Sequence, residues 1–108
     1  MNAEPLNLGD NMSLNAIEEA KKIILGRLKG YNVAVFLFGS RATGNASPIS
    51  DIDVAIYPKK SLPSGLLSTI REELEESGIP YSVDLVDLTQ LGQSWLEKIQ
   101  KDGVVWKD

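Results

Sequence analysis

The stretch from Val33 to Ile56 constrains the fold more than any other part of this 108-residue chain. A continuous apolar run, Val33-Ala34-Val35-Phe36-Leu37-Phe38, is broken by Gly39-Ser40-Arg41-Ala42-Thr43-Gly44. After the polar segment Asn45 to Ser50 the chain turns apolar again, now with two carboxylates one residue apart: Asp51-Ile52-Asp53-Val54-Ala55-Ile56. An apolar run without alternation predicts a central strand covered on both faces. The break predicts a turn into a short helix, and the second segment a further strand. Side chains at i and i+2 of a strand leave the same face, so Asp51 and Asp53 point together while Ile52 and Val54 go the other way.

Two carboxylates held side by side repel each other unless a cation sits between them. Magnesium is hard, takes oxygen ligands, and is commonly held by one or two carboxylates plus substrate phosphates. Gly39 allows the backbone to approach a ligand closely, and the N–H groups from Ser40 onward open a helix whose positive end attracts an anion. Neither half is specific alone: a Gly-Ser turn can be an ordinary connection, and Asp-x-Asp a solvated sheet face. Their conjunction, with ten residues between Ser40 and Asp51, points to one site for a metal and a nucleotide. It is not a Walker A loop, because Asn45-Ala46 stands where Lys-Ser/Thr is required.

The residues that are missing exclude much else. Without cysteine there is no disulfide, thiolate zinc site or cysteine nucleophile. Without histidine there is no Ser-His-Asp triad and no H-E-x-x-H zinc site. A net charge of −4 argues against a non-specific nucleic-acid binder, whose footprint is basic. No apolar run approaches a membrane span and no signal peptide is visible, so a cytoplasmic location is expected. The length suits one domain with one modest core, so an acceptor-binding module is either very small or belongs to another molecule.

The remaining segments frame that site. Residues 1–12 show no periodicity and are expected to be a flexible lead-in to a single domain over 13–108. Asn15, with Glu18 three residues on, reads as a helix N-cap, followed by the apolar stripe Ala16, Ile17, Ala20, Ile24 and Leu28 and a stop at Gly30. Lys59 and Lys60 follow the second strand, either near a triphosphate or as a solvated strand end. A helix with Leu66, Leu67, Ile70 and Leu74 inward ends at Gly78. The third strand, Tyr81 to Val86, places Asp84 between neighbours expected to be buried, where an unpaired carboxylate is costly. Asp87 is a competing candidate, but at the strand's exit a helix cap, Asp87 or Thr89, is the simpler reading. A last helix, from about Leu91 to Lys101, uses Leu91, Trp95, Leu96 and Ile99 as its apolar stripe, and Val104-Val105-Trp106 follows as an extended tail. The order predicts an α/β fold, a small mixed β-sheet flanked by helices.

Gly39-Ser40-Arg41-Ala42-x-Gly44 followed by Ser50-Asp51-Ile52-Asp53 resembles the signature of the polymerase-beta-type nucleotidyltransferase superfamily, and the short chain resembles its minimal branch, which is often paired with HEPN proteins in toxin–antitoxin systems. The resemblance covers roughly Ser13 to Trp106. It implies a polymerase-beta-like fold, with Gly39, Ser40 and Arg41 holding a nucleoside triphosphate such as ATP. It further implies two Mg²⁺ ions bound by Asp51, Asp53 and a third aspartate matching Asp84, which activates the attacking hydroxyl. The implied activity is transfer of AMP to a hydroxyl of a HEPN-type toxin. Docking such a partner needs an apolar anchor, for which Trp106 with Val104 and Val105 is the candidate, because aromatic residues are enriched at binding hot spots; the alternative is that Trp106 packs back on its own sheet. The rivals are an antitoxin that acts by binding alone and a nucleotidyltransferase for a small antibiotic; the sequence leaves a homo-oligomer open. Thr43 stands where the family often has Arg or Lys, which leaves Arg41 as the main cation of the turn.

Overall fold

The computed structural model describes residues 8–43 and 51–108. Gly44, the polar segment Asn45 to Ser50 and residues 1–7 of the expected lead-in lie outside the described residues. The elements are α1 (Leu8–Leu28), β1 (Val33–Phe38), α2 (Ser40–Thr43), β2 (Ile52–Pro58), α3 (Leu66–Glu76), β3 (Val83–Asp87), a 3₁₀ turn (Leu88–Gln90), α4 (Gln93–Asp102) and β4 (Val104–Lys107). The strands form one sheet in the order β3-β2-β1-β4. β1 pairs antiparallel with β2 and β4, while β2 and β3 run parallel, joined through α3. The expected small mixed sheet with helices is what the chain builds.

Because strand side chains alternate, the sheet has two different faces. Val33, Val35, Leu37, Ile52, Val54, Ile56 and Leu85 form one core with Ala16, Ala20, Ile24 and Leu28 of α1 and Ile70 and Leu74 of α3. Each such large side chain contributes about 1.5–3 kcal/mol by leaving water. The other face is smaller: Ala34, Phe36 and Ala55 pack under Leu88 and under Leu96 and Ile99 of α4. One short helix and one turn cover it. Gly103 fixes how closely α4 approaches: a Cβ there would lie 2.6 Å from the Ile99 carbonyl oxygen and 3.0 Å from that of Leu37. Among the described residues no helix is long and apolar enough to cross a membrane.

Three expectations are corrected and one is sharpened. Asn15 does not cap α1, which is already helical at Leu8; residues 8–14 contain no proline, and extending a helix costs far less than nucleating one. The tail Val104-Val105-Trp106 is a fourth strand, pairing with β1. Trp106 is the extra residue of a bulge between the Phe36–Val105 and Val35–Lys107 pairs, and it packs back on the α1 side with Lys21 Nζ 5.9 Å from its ring. Trp95, expected in the inward stripe of α4, is instead 46% exposed, and Leu91 precedes the helix at 37%.

Candidate active site

β1 ends at Phe38, and the chain turns at Gly39 with φ 78°, a conformation that side-chain-bearing residues rarely adopt. A Cβ at this position would lie 2.5 Å from Oδ2 of Asp53. Glycine is thus required twice, by the backbone angle and by the carboxylate packed on it. Gly39→Ala is expected to cost on the order of 1–2 kcal/mol from the backbone alone and to push Asp53 out of place. Thermal melting and calorimetric nucleotide titration check this; a variant that melts and binds as the parent does would refute it.

The turn leads into α2, where Arg41 lies over the Tyr81 ring, 4.7 Å from its centroid. Ala42 and Tyr81 both pack against the larger core. This cation–π contact, of a kind worth roughly 0.5–1 kcal/mol at exposed sites, ties the Gly-Ser turn to the segment that enters β3. No spacing in the sequence announces it.

The carboxylates are gathered by sheet register. Asp53 faces Phe38 across the antiparallel β1–β2 ladder and Asp84 across the parallel β2–β3 ladder. Directly opposed residues share a face, so Asp53 and Asp84 lie together on the α4 side of the sheet. Asp51 precedes β2, exposed, at the same end. Burial first, then the charges of Asp84 and Asp51, raise the Asp53 carboxyl above its ordinary value of 3.8. Asp53 therefore feels both of the other aspartates. Leu85 is buried and Val83 packs against the core, as expected of the neighbours of Asp84, but Asp84 itself is exposed on an edge strand, which corrects the expectation of a costly buried carboxylate there.

Among the described residues no three carboxyl, thiol or imidazole groups close into a ready cage for a metal. The all-oxygen set around Asp53 is close enough to repel and open enough to leave room for water and phosphate, which suits a hard divalent cation of the magnesium kind. Asp87 is separate: its carboxylate accepts from the Thr89 N–H at 2.9 Å and the Thr89 hydroxyl at 2.7 Å, the expected cap of the following turn. Lys59 and Lys60 follow the far end of β2, about 20 Å from Asp53 at the rise of an extended strand. They are a solvated strand end, and Lys59 lies 3.8 Å from the carboxylate of Asp108.

Comparison with known proteins bears on the family and the fold. The chain is 37% identical over 71 residues to the probable protein adenylyltransferase MntA of Haemophilus influenzae, an alignment covering 66% of this chain and 62% of that protein. It thus spans less than two thirds of the length of that relative. Among solved structures it is similar to a chain of a toxin–antitoxin complex with AMP-PNP, with TM-score 0.61 and 24% identity over 80% of this chain and 71% of that one. It is also similar to a chain of the complex of tri-AMPylated Shewanella oneidensis HEPN toxin with MNT antitoxin, with TM-score 0.58 and 21% identity over 88% of this chain and 71% of that one. At those identities the two structures speak for the fold. The family described as Polymerase beta, Nucleotidyltransferase matches residues 21–107, from within α1 through the last strand. With the glycine turn, the strand aspartates and the sheet that joins them all inside that match, the chain belongs to the polymerase beta nucleotidyltransferase family.

Proposed function

We propose that this protein transfers AMP from ATP to a hydroxyl of a partner protein, and that it acts as the antitoxin of a HEPN-type toxin. The observation that carries this reading is the register that sets Asp84 opposite Asp53, with Gly39 packed against the Asp53 carboxylate. The curated relative's name and the AMP-bearing toxin–antitoxin neighbours support the choice of nucleotide and partner.

In this reading Gly39, Ser40 and Arg41 cradle the triphosphate through backbone N–H groups and the guanidinium. Asp51, Asp53 and Asp84 would hold two Mg²⁺ ions, which neutralise charge on the triphosphate and on the leaving pyrophosphate. Asp84, open to solvent on the edge strand, meets the acceptor hydroxyl and takes its proton as the oxygen bonds to the α-phosphorus. The bond from that phosphorus to the bridging oxygen of pyrophosphate breaks. The domain responsible spans 13–108, and the acceptor is brought by the partner.

Incubation with ATP, CTP, GTP or UTP, Mg²⁺ and the HEPN partner, followed by mass spectrometry of the partner, tests this. The expected result is added AMP on a tyrosine hydroxyl. A partner that is bound and neutralised without ever gaining nucleotide mass would mean that the protein works by binding alone.

A further inference from the structure

A cavity of about 270 Å³ opens beside the Gly39 turn, between Phe38 and Gly39 on one side and Trp95, Ile99 and Gly103 on the other. Its lining is predominantly apolar, with Lys98 and Asp102 as its charged members. Phe38 shares the sheet face of Asp53, and Ile99 packs on that face, so cavity and carboxylates lie on one side of the sheet. Across that end the order is Asp84 on β3, Asp53 on β2, Gly39 after β1, and then the cavity beside the start of β4. An acceptor reaches Asp84 from one flank of this row, and the cavity lies on the other. It adjoins the turn that meets phosphate.

We propose that this cavity holds the nucleobase, with Trp95 as its stacking platform. The inference rests on the nucleotide-transfer reading and adds where the base goes. A flat heteroaromatic ring suits a slot between an indole and apolar floor residues, because every base has a π-face to offer. It also accounts for Trp95, a large aromatic left 46% exposed at the mouth of the cavity. Lys98 Nζ stands 5.8 Å from the Trp95 ring centroid, near the limit of a cation–π contact, so its flexible stem is free to yield to a base and turn toward the phosphates.

The test compares Mg²⁺-ATP with Mg²⁺-tripolyphosphate, which has the phosphates without the base, by calorimetric titration of the full chain. Trp95→Ala is expected to weaken ATP binding roughly tenfold, as loss of one stacking partner does, and to leave tripolyphosphate binding unchanged. Trp95→Phe should recover most of the ATP affinity. In a Trp106→Phe background, ATP but not tripolyphosphate should quench the fluorescence of Trp95. ATP binding undiminished in Trp95→Ala, or equal losses for both ligands, would overturn the stacking role while leaving the nucleotide site in place. Loss of transfer to the partner with unchanged ATP affinity would assign the cavity to the acceptor and overturn the proposal as well. A wild-type protein that binds neither ligand would remove the nucleotide reading itself, and the base pocket with it.

Discussion

Asp84→Asn is expected to leave Mg²⁺-ATP bound and to lower transfer to the partner by about 10²–10⁴-fold, the usual contribution of a positioned proton acceptor. The substitution keeps the shape of the side chain and changes its ability to take a proton. Asp84 is exposed on the edge strand β3, so the fold does not depend on it and melting should not fall. Single-turnover transfer read by mass spectrometry of the partner, with nucleotide affinity measured in parallel, separates the two roles. Transfer at the parental rate would remove Asp84 from the chemistry, and equal loss of binding and transfer would make it a nucleotide ligand only.

Asp53→Asn should act in two opposite directions. With Mg²⁺-ATP, binding is expected to fall by more than the roughly 10–100-fold that loss of a residue merely supporting a metal ligand costs, because Asp53 stands at the centre of the carboxylate set. Without divalent cations the same variant should melt slightly above the parent near neutral pH. Burial and the charges of Asp84 and Asp51 raise the Asp53 carboxyl above 3.8, so between that value and its folded-state value the native protein binds more protons than the unfolded chain. Stability therefore falls as pH rises through that window and stays lower above it. Asparagine carries no charge and escapes the loss, so the two proteins should converge on acidification below 3.8. Asp53 is only partly buried, and solvent screening keeps the effect small. Added Mg²⁺ should reverse the order by stabilising the parent alone. A metal-free Asp53→Asn that melts below the parent would show that the carboxylate is held by favourable contacts and not strained by its neighbours.

Much of this protein is set by short-range pattern. The unbroken apolar run of β1 needs cover on both faces, Gly39 follows from a turn that side-chain-bearing residues disfavour, and the one-residue spacing keeps Asp51, at the entry to β2, near enough for its charge to act on Asp53. The stripe Ala16, Ala20, Ile24, Leu28 fixes which side of α1 is buried, as observed. These are properties of neighbours in the chain, so the sequence alone carries them. Asp84 is different: family resemblance singled it out, and only parallel pairing of β2 with β3 sets it opposite Asp53. Its exposure came from the position of β3 at the sheet edge, which strand periodicity does not encode. Periodicity likewise could not rank the two tryptophans. The bulge in β4 turned Trp106 back onto α1, while the close seating of α4 at Gly103 left Trp95 at the mouth of the cavity beside Gly39. Local residues determine which faces are apolar, and strand pairing and helix packing decide which of those faces meet.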